Sequence, residues 1–198
     1  PQLEQSKMDN YTQSIMSILN AKLVQGDNEL LSFIAGEFEQ KGYEIVGASE
    51  ILPDLILKPG FVYGTPYRSI QRDVEKADKV LKLLSAEDIG QGIVVENGLV
   101  LGIETLQGTN ELLKFVKKTQ VHLRIAETGG VFVKRPKFNQ NLQFDMPVIG
   151  PETINLACNA GLRGLVVSPL SVIVLDQKKC LQIAKANNFF ILAKDYTS

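Results

Sequence analysis

The chain has no tryptophan, one histidine and two cysteines among its 198 residues, and these shortages remove several chemistries at once. A single histidine, His122, cannot build a His-rich metal site, and a histidine-dependent nucleophile would have to use that residue alone. With no Ser or Cys in a nucleophile-elbow pattern, His122 reads as a surface loop residue, and Gly129-Gly130 is too sparse for a dinucleotide loop. Cys158 and Cys180 form no CxxC pair and have no companion His at zinc spacing, so they read as two buried free thiols of a reducing compartment. Excess charge is missing too. The 21 Lys and Arg against 22 Asp and Glu leave a net charge of -1, without the basic field that draws a protein onto nucleic acid. An anionic ligand must therefore be gripped locally. The apolar stretches are short, as at 162–167 and 172–175, against about 20 residues for a helix that spans a bilayer. The opening Pro1-Gln2-Leu3-Glu4-Gln5 has neither an initiator Met nor a charged-then-apolar leader. The expectation is a cytoplasmic chain with sequence missing before Pro1.

What is present is an alternation of helical and strand periods in a chain that is 44% hydrophobic, enough to fill the core of one large or two modest domains. Apolar residues over 14–23 fall at helical spacing until Gly26 breaks it. Asp27 is placed to cap a second helix carrying Leu30, Leu31, Phe33, Ile34 and Phe38, which Lys41-Gly42 closes. A short strand is expected over 43–46. Pro53, Pro59, Gly60, Gly64 and Pro66 suit a linker, dividing the chain into 1–62, the end of one domain, and 63–198, a second domain. Beyond it, 70–84 reads as an amphipathic helix. Gly92–Glu96 and 99–104 are rich in β-formers and joined by Asn97-Gly98, the signature of a type I′ hairpin. Thr109 or Asn110 is placed to cap a helix reaching Lys118. Gly129-Gly130 opens a strand at Val131–Lys134, and Pro151 fits the first turn of a helix ending at Ala160-Gly161. Strands at 165–168, 172–175 and 189–193 bracket a last helix capped by Asp176. The fold class is α/β, a mixed sheet flanked by helices, because the hairpin forces at least one antiparallel pair.

Two clusters can carry chemistry. Between the strand at Val131–Lys134 and the helix after Pro151 runs a segment with stacked polar groups. There Lys134 and Lys137 can neutralise a phosphate, Thr153 and the N–H groups after Pro151 add donors, and Asp145 is suited to holding a divalent metal or orienting a water. The same residues also read as a solvated connecting loop with Asp145 as a turn residue. In the second cluster the tight hairpin returns its outer ends to one edge, bringing Gln91 near Glu104, with Asp88 and Thr109 beside them. Caps and a solvated strand-end charge account for these as well.

Taken together, Gly26-Asp27-Asn28-Glu29-Leu30-Leu31, Leu52-Pro53-Asp54-Leu55, Asp88-Ile89-Gly90-Gln91, Ile103-Glu104 with Gly108-Thr109, the 134–153 segment and Ala160-Gly161-Leu162-Arg163-Gly164-Leu165 resemble the LpxI family in order and spacing. The resemblance implies hydrolysis of the pyrophosphate of UDP-2,3-diacylglucosamine to UMP and 2,3-diacylglucosamine 1-phosphate, a step of lipid A synthesis. It implies water attack at the β-phosphorus with Mg2+ or Mn2+, and a substrate gripped between two domains. On this likeness residues 1–62 are the remnant of an N-terminal Rossmann-like domain, and the 198 residues lack half of the cleft. Asp145 takes the catalytic and metal-holding position. Lys134, Lys137, Gln140 and Thr153 contact phosphate or sugar, and Gln91, Glu104 and Thr109 form the other wall. A lipid substrate implies peripheral contact with the inner membrane, and a homodimer stays open as the assembly. Asn110, Asn141, Gln143 and Phe138-Asn139 depart from the family's Asp, Asp, Arg and Pro-Gly, which leaves a second reading: a non-catalytic relative that binds a nucleotide sugar or lipid.

Overall fold

The computed structural model describes residues 8–25, 27–119, 121–124, 129–138 and 140–194. Gly26, Asn139 and the cap expected of Asp27 lie outside what is described. Helices α1 (Asn10–Gln25) and α2 (Asp27–Gln40) pack on each other, Ala35 of α2 is buried, and Lys41 sits 3.2 Å from the ring centroid of Tyr11. Gly42 takes φ +85 at the end of α2, as a C′ glycine should. The strand expected over 43–46 does not form. The Tyr43 N–H turns back to the Phe38 carbonyl at 3.2 Å, and the segment runs on without a ladder into α3 (Ala48–Ile51) and a 3-10 turn at Pro53–Leu55. A β-prone tetrapeptide with no neighbouring edge to pair with gains nothing from being extended.

The body of the chain is a six-stranded mixed sheet in the order β1 (Val62–Tyr63), β8 (Phe190–Ala193), β6 (Gly164–Val167), β4 (Val131–Lys134), β2 (Gly92–Glu96), β3 (Leu99–Ile103). The pairs β4·β6 and β6·β8 are parallel; β1·β8, β2·β3 and β2·β4 are antiparallel. At the β2–β3 turn Asn97 and Gly98 have φ +55 and +79, the two left-handed residues of a type I′ hairpin. A separate parallel pair, β5 (Val148–Ile149) with β7 (Ile173–Val174), was not anticipated at its first strand. The breaker-rich 53–66 stretch delivers buried Ile56 and Leu57 to the core and then β1 to the sheet edge.

The inner strands are buried on both faces, as parallel strands between helices must be. Side-chain alternation divides them between two cores. Ile93, Val95, Val131, Val133, Val166, Phe190 and Leu192 meet α4 (Ile70–Ser85) through Ile70, Val74, Ala77 and Leu81. Val94, Phe132, Leu165, Val167, Ile191 and Ala193 face the other layer, α5 (Gly108–Lys117), α6 (Pro151–Asn159) and α7 (Gln177–Ala186). Asp176 caps α7 by accepting from Lys179 N–H at 3.2 Å. Both cysteines are free thiols in the α6–α7 layer, and burial pushes each up to about 11. Among the described residues no helix is long and apolar enough to cross a membrane.

Candidate functional site

Strand alternation places the central charge. Lys134 follows Phe132 at a spacing of two, so its side chain falls on the α5 side of β4, at the strand's end and only 3% exposed. Its ammonium donates to both oxygens of Glu104, at 2.8 and 2.6 Å, and to the Thr109 hydroxyl at 2.9 Å; that hydroxyl donates in turn to Glu104 at 2.7 Å. Directly across the ladder from Lys134 stands Gly92. A Cβ at Gly92 would lie 2.5 Å from Glu104 Oε2 and 2.8 Å from the Phe132 ring, so the missing side chain is the space that the carboxylate fills. Neither Glu104 as a solvated strand-end charge nor Thr109 as a cap survives. Glu104 is 8% exposed, and the N-cap of α5 is Gln107, which frees the Thr109 hydroxyl for the cluster.

Burial is the largest influence on Lys134 and holds it below the 10.5 of a free lysine. Glu104 and Asp145 act in the opposite direction, and Lys137 adds to the lowering. Lys134 is therefore a compensated cation, and Lys137 is another: its ammonium donates to Asp88 at 2.6 Å. Asp88, at φ +58, opens the left-handed turn that leads through Gly90 into β2.

The 135–147 segment carries Asp145 back over these groups. Arg135 anchors its start. The backbone N–H of Arg135 donates to the Gln91 carbonyl at 2.9 Å, and its guanidinium holds Asp78 of α4, the Ser168 hydroxyl at 2.7 Å and the Lys194 carbonyl at 3.3 Å. The other end is fixed by the small parallel pair, where Ile173 N–H donates to the Pro147 carbonyl at 2.8 Å. Between these anchors Gln140 accepts from Lys137 N–H and from Gln91 Nε2, both at 2.8 Å, and donates to Asp145. Asn141 makes a turn, its side chain accepting from Gln143 N–H at 3.0 Å and its carbonyl from Asp145 N–H at 3.1 Å. Asp88, Gln91, Glu104, Leu106, Lys137 and Asp145 line a cavity of about 560 Å³.

Of the residues expected in the site, Gln91, Glu104, Thr109, Lys134, Lys137, Gln140 and Asp145 come together here. Thr153 does not join their hydrogen bonds among the described contacts; it accepts the Gly150 N–H at 3.3 Å and closes the first turn of α6. Sequence reasoning gave no role to Arg135, whose signal was a lone arginine at a strand end, and named Gly92 in the second cluster without the space that it leaves for Glu104, whose signal was a glycine at the start of a strand pattern. His122 is exposed in a 3-10 turn away from the cluster's contacts.

Against this geometry the family comparison is specific: the model of the LpxI C-terminal domain matches residues 59–192, which takes in the whole six-stranded sheet but the last residue of β8. The chain belongs to the LpxI family. It is also 35% identical over 174 residues to the UDP-2,3-diacylglucosamine pyrophosphatase LpxI of Caulobacter vibrioides, a likeness covering 86% of this chain and 62% of that protein. The chain thus spans less than two thirds of the length of this LpxI relative.

As for a metal, among the described residues no three His, Cys, Asp or Glu side chains come together as a metal site. Glu104 is occupied by Lys134 and Asp88 by Lys137, which leaves Asp145, among the described residues, as the carboxylate of the cavity wall not held in an ion pair with a lysine. That donor set suits a hard divalent cation carried by substrate phosphates and completed by one protein carboxylate and water, as Mg2+ is often held.

Proposed function

We propose that the protein acts, in its full length, as a divalent-cation-dependent pyrophosphatase on UDP-2,3-diacylglucosamine, releasing UMP and 2,3-diacylglucosamine 1-phosphate. The observation that carries this reading is Asp145 on the wall of a 560 Å³ cavity, beside two lysines whose charges are already matched by carboxylates. The wall residues and Lys134 bring three carboxylates, Asp88, Glu104 and Asp145, against two ammonium groups, so by itself the site repels a pyrophosphate. A cation brought with the substrate, Mg2+ or Mn2+, would reverse that balance and supply charge compensation for the phosphate oxygens. Asp145 would hold it and orient the attacking water. The ammonium of Lys137, at the cavity wall, would exchange Asp88 for a phosphate oxygen. Lys134, locked by Glu104 and Thr109, supplies a fixed positive end that needs no reorganisation. In the reaction a water oxygen bonds to the β-phosphorus, the bridging P–O bond breaks, and UMP leaves with the bridging oxygen. A substrate with two acyl chains brings the protein to the inner membrane surface peripherally.

The test is hydrolysis of UDP-2,3-diacylglucosamine by the full-length protein with Mg2+ or Mn2+, beside an Asp145→Ala variant. Turnover that falls by roughly 10²- to 10³-fold in the variant is the expected result. A folded protein that is stabilised thermally by the substrate yet never cleaves it would replace this reading with that of a non-catalytic nucleotide-sugar binder.

A further inference from the structure

The side-chain amide of Gln140 is held in one orientation by its neighbours. Its oxygen accepts from the backbone N–H of Lys137 and from Gln91 Nε2, each at 2.8 Å. A backbone N–H only donates, so a flipped amide would set its NH2 against that donor and lose the bond. The nitrogen must therefore face the other way, toward Asp145, to which it donates. Gln91 is fixed in its turn by the sheet. Its carbonyl accepts the Arg135 N–H at 2.9 Å where β2 and β4 meet, and the residue after it, Gly92, is the first of β2. A continuous line of hydrogen bonds thus runs from the rigid sheet through Gln91 and Gln140 to a carboxylate that sits in a loop with no regular element to hold it.

We infer that Gln140, supported by Gln91, is a positioning residue that sets the Asp145 carboxylate against the cavity, and that neither glutamine acts as a primary binder of substrate. The inference rests on the reading of Asp145 as the reacting site's carboxylate. A loop carboxylate free to rotate would spend much of its time aimed away from the reacting atoms. An amide anchored at its oxygen removes that freedom, as the outer partners of active-site ligands commonly do. Both glutamines are acceptors and donors without charge, so this support leaves the charge balance of the cavity unchanged.

Two measurements test it, both on the full-length protein. In steady-state kinetics with Mg2+, Gln140→Leu is expected to lower kcat by roughly 10- to 100-fold while KM moves by less than about twofold. Gln91→Leu lowers kcat in the same sense, and adds no further loss in the Gln140→Leu background, because it acts through Gln140. A raised KM with kcat unchanged, or a Gln91→Leu effect of full size in the double variant, would overturn the inference by making the glutamines substrate contacts. The second measurement needs no substrate. In the ligand-free protein the side-chain NH2 resonances of Gln140 should shift on Asp145→Asn and on Gln91→Leu; resonances that stay in place, in variants whose thermal melts show them folded, would also overturn it. If those resonances shift while the full-length protein hydrolyses nothing, the pyrophosphatase reading has failed and the hydrogen-bonded positioning of Asp145 has not.

Discussion

At the scale of the residue, Lys134 and Glu104 pose the sharpest energetic question. The pair is buried, with side chains only 4% and 10% exposed, so removing one partner strands a charge in a poorly solvated place. Glu104→Ala is expected to destabilise by about 3–5 kcal/mol, whereas replacing both residues with methionine restores most of that loss, since apolar packing substitutes well for a buried ion pair. Urea unfolding of the three proteins checks this. Alkaline pH provides a second reading. Folded Lys134 releases its proton below 10.5, so between that depressed value and 10.5 the unfolded chain holds a proton that the folded chain lacks. The contribution of Lys134 to stability therefore grows as pH rises through that window and is lost as pH falls. The stability difference between the parent and Lys134→Met should widen in the parent's favour over the same range. Spacing places Lys134 and Glu104 in two separate clusters; the fold joins them in one contact. That Glu104 is the counter-ion of Lys134 depends on Gly92 having no side chain, and a glycine in a strand pattern does not announce what will fill its space.

At the scale of the element, the hairpin was legible because Asn97-Gly98 is a local signal, and local signals survive folding. What holds the turn down is not local. Asp73 of α4 is 1% exposed and accepts N–H groups from Asn97 at 3.0 Å and Gly98 at 2.6 Å, as well as the Tyr67 hydroxyl at 2.6 Å. One carboxylate thus ties the turn to the helix beneath it. Asp73→Ala leaves two backbone donors and a hydroxyl without their acceptor and should cost about 3 kcal/mol, and Gly98→Ala, at φ +79, about 1 kcal/mol through strain. Denaturant midpoints measure both, and near-equal costs would mean that Asp73 contributes no more than the turn's own geometry. Two of the local misreadings have the same origin. The 43–46 stretch has strand composition and no partner edge. Val148–Ile149 is β-branched but, set between Pro147 and Gly150-Pro151, too short to signal a strand alone, and it becomes β5 because Ile173–Val174 lies alongside it. Pairing decides both cases, and pairing is written in distant residues.

At the scale of the whole molecule, the helices before residue 48 and the sheet after residue 55 are secured in different ways. Helices α1 and α2 pack on each other and keep Ile18, Leu23, Val24 and Phe38 exposed. The segment 56–63 belongs to the sheet's own core. Ile56 bridges to Ile173, Leu57 is 4% exposed and receives the Leu170 N–H at 3.1 Å, and β1 covers the edge of β8 through Val62 and Tyr63. Deleting 1–46 should therefore leave cooperative unfolding of the remaining chain with its midpoint nearly unchanged. Deleting 1–64 should lower the midpoint strongly, because it uncovers the apolar edge of β8 and removes the buried side chains of Ile56 and Leu57. Thermal melts followed by circular dichroism separate the two. A large loss already on removing 1–46 would mean that α1 and α2 form part of the same cooperative unit. In that event the Gly47 backbone, whose added Cβ would lie 3.4 Å from Gln143 Cα, becomes the place where the helices support the Asp145 loop.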